Sequence, residues 1–468
     1  MRRAIFALAT ILFLATAVVA AAAQPNVVLV LLDDAGYGDF SCLGNPVLKT
    51  PNIDKLFSQS IRLTDFHVAP MCTATRGEIM SGVDALRNGA MNVASGRAML
   101  RRELPTMADA FAATGYRTGQ FGKWHIGDSY PYRPQDRGFQ QSMWFPASHI
   151  PSAAEYWRNT YFDTWFRHED NTIRQSKGYI TDVLFDSAID WITDRKSDKP
   201  FFCYLPLNSA HVPLLVPEKY IKMFPGQPEK VARFLGMMAN IDENMGRLTA
   251  MLDRQGLTDN TILIFLSDNG GTCGVPVFNA GMRGAKTELY DGGHRVPCFI
   301  RWPAGPLGKP RDVGELTEAQ DLLPTLIDLC GLKTPAKAKF DGIDLAPFLR
   351  RQQDRLPDRM VVIQYSPVHL QTPAKGDAVV LWNKWRLVNL RELYDIATDP
   401  AQTTNVMADH PQVFAQMRSY YLRWWAETEP KMNELGAITI GADAENPLML
   451  SAVDWADSFL DQSVQVRN

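Results

Sequence analysis

Two pairs of hard oxygen donors close two apolar runs. Pro25 to Leu32 ends in Asp33-Asp34-Ala35-Gly36-Tyr37-Gly38-Asp39, and Thr261 to Ser267 ends in Asp268-Asn269-Gly270-Gly271. Open α/β sheets bind ligands outside the carboxyl ends of their strands. Asp33, Asp34, Asp268 and Asn269 can therefore meet although 235 positions separate the pairs. Three carboxylates in one pocket repel unless a cation neutralises them. All-oxygen donors favour Ca²⁺ or Mg²⁺ over zinc or copper, and an exported chain meets more Ca²⁺. A single such pair reads equally well as turn and cap residues. The second pair favours the metal.

A nucleophile candidate stands in Cys72-Thr73-Ala74-Thr75-Arg76, which opens a helix-like run to Gly82 and follows Ala69-Pro70. At a helix N-terminus the backbone N–H groups and the dipole favour an anion. Arg76, one turn on, shares that face. The plain alternative is a buried cysteine acting as a small apolar residue. Lys123 and His125 follow the apolar run Tyr116 to Phe121, and their i, i+2 spacing predicts one face of an extended segment. His211 follows Phe201 to Leu207, again past an apolar strand.

The elements that must position these residues are legible as a pattern. Unbroken apolar runs at 25–32, 201–207 and 261–267 suit strands covered on both faces. A half-buried strand is predicted over 61–68. Helices are predicted over 51–59, 105–114, 180–195, 228–255 and 317–329, so strands alternate with helices. After Gly331 the texture changes to short strands (360–366, 379–389) and an aromatic-rich helix, 410–427. Residues 143–168, with Trp144, Tyr156, Trp157, Tyr161 and Trp165, have no clear period and read as a long ordered loop that could wall a substrate. The expected fold is α/β: a large, mostly parallel mixed sheet covered by helices on both faces, plus a smaller C-terminal α+β domain with a short antiparallel sheet. The expected division is 1–23 signal peptide, 24–345 catalytic domain and 346–468 smaller C-terminal subdomain.

The 468 residues carry a net charge of −3, with 46% hydrophobic and 21% charged residues, which excludes a disordered chain and a nucleic-acid binder working by electrostatics. Met1-Arg2-Arg3, the apolar stretch from Ala4 to Val19 and the small tract Ala20 to Ala23 form the pattern of a cleaved export signal. Its removal takes two arginines from the chain and leaves −5. No later segment is apolar for long enough to span a bilayer. An exported protein, periplasmic or extracellular, without a stable membrane anchor is expected. Six cysteines in this length are too few for a disulfide scaffold.

The segment Cys72 to Gly82 resembles the signature of the sulfatase family, Cys-x-Pro/Ala-x-Arg followed by an apolar helix and Thr/Ser-Gly. Asp33-Asp34-x-Gly-Tyr-Gly-Asp39, Gly122-Lys123-Trp124-His125-Ile126-Gly127, Ser267-Asp268-Asn269-Gly270, Asp291-Gly-Gly-His-Arg-Val-Pro297 and Lys384-Trp385-Arg386-Leu387 also match family motifs, in the expected order. Ala74 stands where the commoner form has Pro. The resemblance implies an alkaline phosphatase-like fold and arylsulfatase-like hydrolysis of an aryl or carbohydrate sulfate ester. It implies that a formylglycine-generating maturation enzyme oxidises Cys72 to formylglycine, whose hydrate attacks sulfur with one hydroxyl and releases sulfate as the aldehyde re-forms.

By the same resemblance Asp33, Asp34, Asp268, Asn269 and residue 72 bind the metal, Ca²⁺ or Mg²⁺, and Arg76 stabilises the hydrate. Lys123 contacts sulfate oxygens and His125 takes the hydroxyl proton. His211 protonates the leaving oxygen, with Lys286 binding sulfate and sharing that role. Ser148 and His149 are substrate-side candidates. His294, where an aliphatic residue is more usual, reads as structural, and Asp454 and Trp455 in the tail could also reach the site. A phosphonate or phosphate ester hydrolase using the same groups is the competing enzyme, and a binding protein with an unmodified Cys72 the competing non-enzyme.

Overall fold

The computed structural model describes residues 24–92, 98–150, 152, 158–194, 198–336, 338–365, 373–432 and 436–445. The expected export signal, Tyr156, Trp157, Asp454 and Trp455 lie outside the described residues.

A sheet of ten strands runs in the order Arg311–Val313, Ile61–Leu63, Cys298–Arg301, Thr261–Ser267, Asn26–Leu32, Phe201–Pro206, Arg117–Lys123, Gln141–Phe145, Trp165–His168 and Ile173–Gln175. The five strands from Thr261–Ser267 to Gln141–Phe145 are mutually parallel, and the flanking strands introduce antiparallel pairs. Side chains alternate across a strand, which splits the central strand between two cores. Val28, Val30 and Leu32 pack under helices Ile180–Thr193 and Glu229–Arg254. Val27, Leu29 and Leu31 pack on the other face against Ile79, Met80, Phe111 and Leu326. Both faces of the strand are thus covered, which is why Val27 to Leu32 reads as an unbroken apolar run.

A second sheet, Val361–Ile363, Val379–Trp382, Trp385–Val388 and Glu392–Asp395, is antiparallel throughout. Helix Pro411–Met432 covers it with Met417, Tyr421, Trp424 and Trp425. The two sheets together give the fold class expected from the sequence.

Three local expectations are corrected. The predicted strand 61–68 divides into Ile61–Leu63, in the large sheet, and Phe66–His67, which pairs with Thr317–Glu318. Between them Asp65 turns inward to accept from Arg386, so the chain leaves the first ladder. The predicted helix 317–329 begins as strand Thr317–Glu318 and a 3-10 turn; the α-helix proper is Leu322–Cys330. The Asp321 carboxylate, which accepts from the Glu318 and Ile343 amides, fixes that late start. The aromatic segment is not all loop, because Gln141–Phe145 and Trp165–His168 are edge-side strands of the large sheet. Trp144 and Tyr161 are wholly buried. Tyr161 donates to the Val212 carbonyl, so neither residue lines a substrate wall.

Candidate active site

Four neighbouring parallel strands end side by side and deliver most of the site. Thr261–Ser267 delivers Asp268 and Asn269, Asn26–Leu32 delivers Asp33 and Asp34, Phe201–Pro206 leads to His211, and Arg117–Lys123 ends in Lys123 with His125 beyond. Backbone bonds tie the ends together: the Asp33 N–H donates to the Ser209 carbonyl at 3.0 Å and the Asp268 N–H to the Leu32 carbonyl at 3.0 Å. Asp34 and His125 both adopt positive φ, 66° and 62°. The extended segment expected at 123–125 therefore stops short of His125, which takes left-handed backbone. Lys123 and His125 still reach one pocket, though not by strand alternation.

Cys72 is the first residue of helix Cys72–Ser81, as its position in the sequence predicted. Every residue of this helix is buried, and it ends on Gly82 in the left-handed conformation (φ 67°). A Cβ added at Gly77 would stand 2.7 Å from the Ala90 Cβ, so the helix packs closely against the segment after Asn88. The Cys72 Sγ lies 3.4 Å from His125 Nδ1.

Each carboxylate has a fixed cation. Lys123 Nζ donates to Asp33 Oδ2 at 2.7 Å, Lys286 Nζ donates to Asp34 Oδ1, and Arg76 places Nη2 and Nε at 2.7 and 3.0 Å from Asp268 Oδ2. Three carboxylates and three cations cancel. This corrects the expectation that the carboxylates need a metal simply to coexist. The case for a cation rests elsewhere, on two acceptors left over. Asp33 Oδ1 and Asn269 Oδ1 are buried without a hydrogen-bond partner, and Asp33, Cys72 and Asp268 each offer a ligand atom within 4.8 Å of the others. Buried polar atoms are rarely left unpaired. Hard oxygens converging this way fit a divalent cation of the Ca²⁺ or Mg²⁺ kind.

The titratable groups are strongly biased. Burial pushes the Asp34 carboxyl up, but Lys286 and His211 beside it win and hold it well below the usual carboxylate range. Burial and the neighbouring Asp33 raise Asp268 to about 6 against the pull of Arg76. Burial, with Lys123 and Arg76 close by, holds His125 well below its ordinary value. Burial takes His211 down to about 4 in spite of Asp34. Burial lifts the Cys72 thiol, so as a free cysteine it is a poor nucleophile at neutral pH. His211 Nδ1 donates to the Val212 carbonyl at 2.6 Å, and its Nε2 faces Asp34 Oδ2 at 3.8 Å.

His149 stacks on His211, ring centres 4.8 Å apart, while Ser148 Oγ sits 2.8 Å from His149 Nδ1. The pair therefore borders the site, with Ser148 turned to its neighbour. Sequence reading missed Thr73, whose Oγ1 lies 3.0–3.1 Å from the His125 ring nitrogens. Its place beside Cys72 was the available signal. None of the six cysteines is paired in a disulfide, and Cys72, Cys203, Cys298 and Cys330 are buried.

A mixed, mostly parallel sheet whose strand ends gather carboxylates, cations and a thiol at a helix N-terminus is the alkaline phosphatase-like fold. The sulfatase family matches residues 25–332, and the N-sulphoglucosamine sulphohydrolase C-terminal family matches residues 285–423. Human arylsulfatase A is 31% identical over 365 residues, covering 70% of this chain and 68% of its own. N-acetylgalactosamine-6-O-sulfatase of Bacteroides thetaiotaomicron is 26% identical, covering 84% of this chain and 92% of its own. The crystal structure of Ps i-CgsB with k-i-k-neocarrahexaose superposes with a TM-score of 0.77 at 25% identity, over 86% of this chain and 92% of that one. The chain belongs to the sulfatase family and is a sulfuric ester hydrolase. Among the described residues no helix is long and apolar enough to cross a membrane.

Proposed function

We propose that this protein removes sulfate from an aryl or carbohydrate sulfate ester after Cys72 has been oxidised to formylglycine by a maturation enzyme, with Ca²⁺ or Mg²⁺ held by Asp33, Asp34, Asp268, Asn269 and residue 72. The observation that carries this reading is the convergence of the Cys72 thiol with three carboxylates and their three cations in one buried pocket. Hydrated formylglycine supplies a hydroxyl nucleophile and a release step that a thiol lacks, and a divalent cation supplies positive charge to the attacking and sulfuryl oxygens.

The chain's own residues do the rest. With the carboxylates already neutralised, any bound cation leaves the pocket net positive, which suits an anionic ester. Arg76 fixes Asp268 from the helix that carries residue 72 and donates to the Lys123 carbonyl, so nucleophile and ligand move as one unit. Lys123 and Lys286 are charged donors placed to stabilise negative charge as it develops. His125, neutral and 3.4 Å from the Cys72 sulfur, is positioned to accept a proton from residue 72. His211 and Lys286 flank Asp34 and would serve the leaving oxygen. His149, stacked on His211, would border the bound ester, with Ser148 holding its ring. The N-terminal pattern supports export to the periplasm or beyond.

Peptide mass spectrometry across Cys72 in native protein should show an aldehyde; an unmodified thiol would sink the mechanism. Turnover of an aryl sulfate should exceed that of the matched aryl phosphonate, and faster phosphonate turnover would favour the competing hydrolase.

A further inference from the structure

A buried guanidinium lies at the opposite end of the large sheet from the active site. Arg301 is the last residue of strand Cys298–Arg301 and is in register with Leu263, near the start of Thr261–Ser267. Asp268 follows the other end of that strand, five residues on, which is about 17 Å of extended chain. Arg301 is 5% exposed. Its Nη1 donates to Gln59 Oε1 at 3.2 Å. Its Nε and Nη2 are buried and have no hydrogen-bond partner among the described residues. Burial lowers its pKa, yet a guanidinium stays charged at neutral pH. A buried charge is costly unless it is paired and hydrogen-bonded.

The two idle nitrogens are a matched pair. Nε and Nη2 form the edge of the guanidinium whose parallel N–H groups meet both oxygens of a carboxylate. This chain uses that edge so elsewhere. Arg133 donates from Nε to Asp136 Oδ2 at 2.7 Å and from Nη2 to Asp136 Oδ1 at 3.0 Å, and Arg76 presents the same two nitrogens to Asp268. Arg301 has no such carboxylate among the described residues. Asp253 borders the same cleft, but its Oδ1 accepts from the Thr258 hydroxyl.

Arg301 lines a cleft of about 330 Å³, far more than the ~30 Å³ share of one water. Leu56, Ile61, Ile300 and Leu307 give the cleft apolar walls, and Trp302 adds an indole whose Nε1–H is also buried without a partner. Lys55 and Asp253 are the other charged groups lining it, so one positive charge is left over. The apolar walls suit a carbon body, and the single charge suits a monoanion. A bare sulfate or phosphate dianion matches neither.

We propose that the cleft around Arg301 binds a small organic carboxylate, with the two carboxylate oxygens on Arg301 Nε and Nη2 and the carbon body against the apolar walls and Trp302. The site stands apart from Cys72 and does not rest on the proposed sulfate ester hydrolysis, so either reading can fail alone.

Benzoate is the probe, a planar carboxylate on an apolar ring. Titration calorimetry of the full chain should show saturable benzoate binding that Arg301→Lys weakens about tenfold or more, since lysine keeps the charge and loses the fork. Benzamide, with the same ring and no charge, should bind the wild type about tenfold or more weakly than benzoate. Equal benzoate binding by the two proteins, equal binding of benzamide, or no benzoate binding tighter than about 10 mM would overturn the proposal. Binding of inorganic sulfate that depends on Arg301, in place of benzoate, would overturn the assignment to an organic carboxylate. A second measurement needs no variant. In wild-type crystals grown with 4-bromobenzoate, the anomalous bromine peak should lie in the cleft beside Trp302. A peak confined to the strand ends around Cys72, or no peak, would equally overturn it.

Discussion

Two buried clusters of carboxylates sit within one chain, and they neutralise their charge by different means. In the active site Asp33, Asp34 and Asp268 are each met by a separate cation, yet Asp33 Oδ1 and Asn269 Oδ1 remain without partners. In a second, seam cluster, where strand Trp385–Val388 meets the chain around Asp65, the single guanidinium of Arg386 bridges Asp65 and Asp291, and His67 Nε2 shares Asp65 Oδ1 with it. Leftover acceptors mean room for an ion and its ligand; a bridging arginine means the place is taken. Charge alone does not explain the contrast, since the active site has three cations for three carboxylates and the seam cluster one for two; the accounting of lone pairs does.

Replacing residues in each cluster should break that contrast in different observables. Cys72→Ala should lower aryl sulfate turnover by about 10⁴-fold or more with little change in melting temperature, because nucleophiles acting within a unit carry effects of that size. Surviving turnover would refute the nucleophile. Arg386→Met should do the reverse, leaving two buried carboxylates without their cation and destabilising the fold by about 3–5 kcal/mol in chemical denaturation. A loss below about 1 kcal/mol would show that Arg386 is not what keeps the two carboxylates buried together. Chelator treatment should lower turnover by about 100-fold, recovered by added Ca²⁺; full turnover after chelation would remove the metal from the reading.

The smallest effect belongs to Asp39, a carboxyl in neither cluster. Burial raises it to about 7, opposed only by the Gly36 N–H that it accepts. Its folded value lies above the unfolded value of about 3.9, so folding takes up a proton and stability falls as pH climbs from about 4 to 7. Asp39→Asn should remove that slope and raise the melting temperature above pH 7 by roughly 2–4 °C. An unchanged slope would show that Asp39 is ionised in the fold. A protonated Asp39 is a third way of silencing a buried carboxyl, by a proton rather than a lysine or an arginine.

Much of the large sheet was legible because central parallel strands, buried on both faces, must be unbroken apolar runs. Thr261–Ser267 was read to the residue. The thiol's place at a helix N-terminus followed from the strand and proline before it. The aromatic segment was misread, since strands near the sheet edge such as Trp165–His168 are short and only partly covered and leave no clear period. The split of 61–68 was hidden because Asp65 answers to Arg386, 321 positions away.

By itself the sequence determined which residue types end which strands, and hence the donors, the thiol and the family. Only the tertiary structure decided who neutralises whom. Lys123 could have been a free sulfate ligand; it is also the partner of Asp33. His294 read as merely structural, and its meaning lies in a ring 227 positions earlier in the chain. Strand order is written locally, in apolar pattern, but charge pairing depends on which distant side chains the folded backbone brings within about 3 Å, and no spacing in one dimension records that distance.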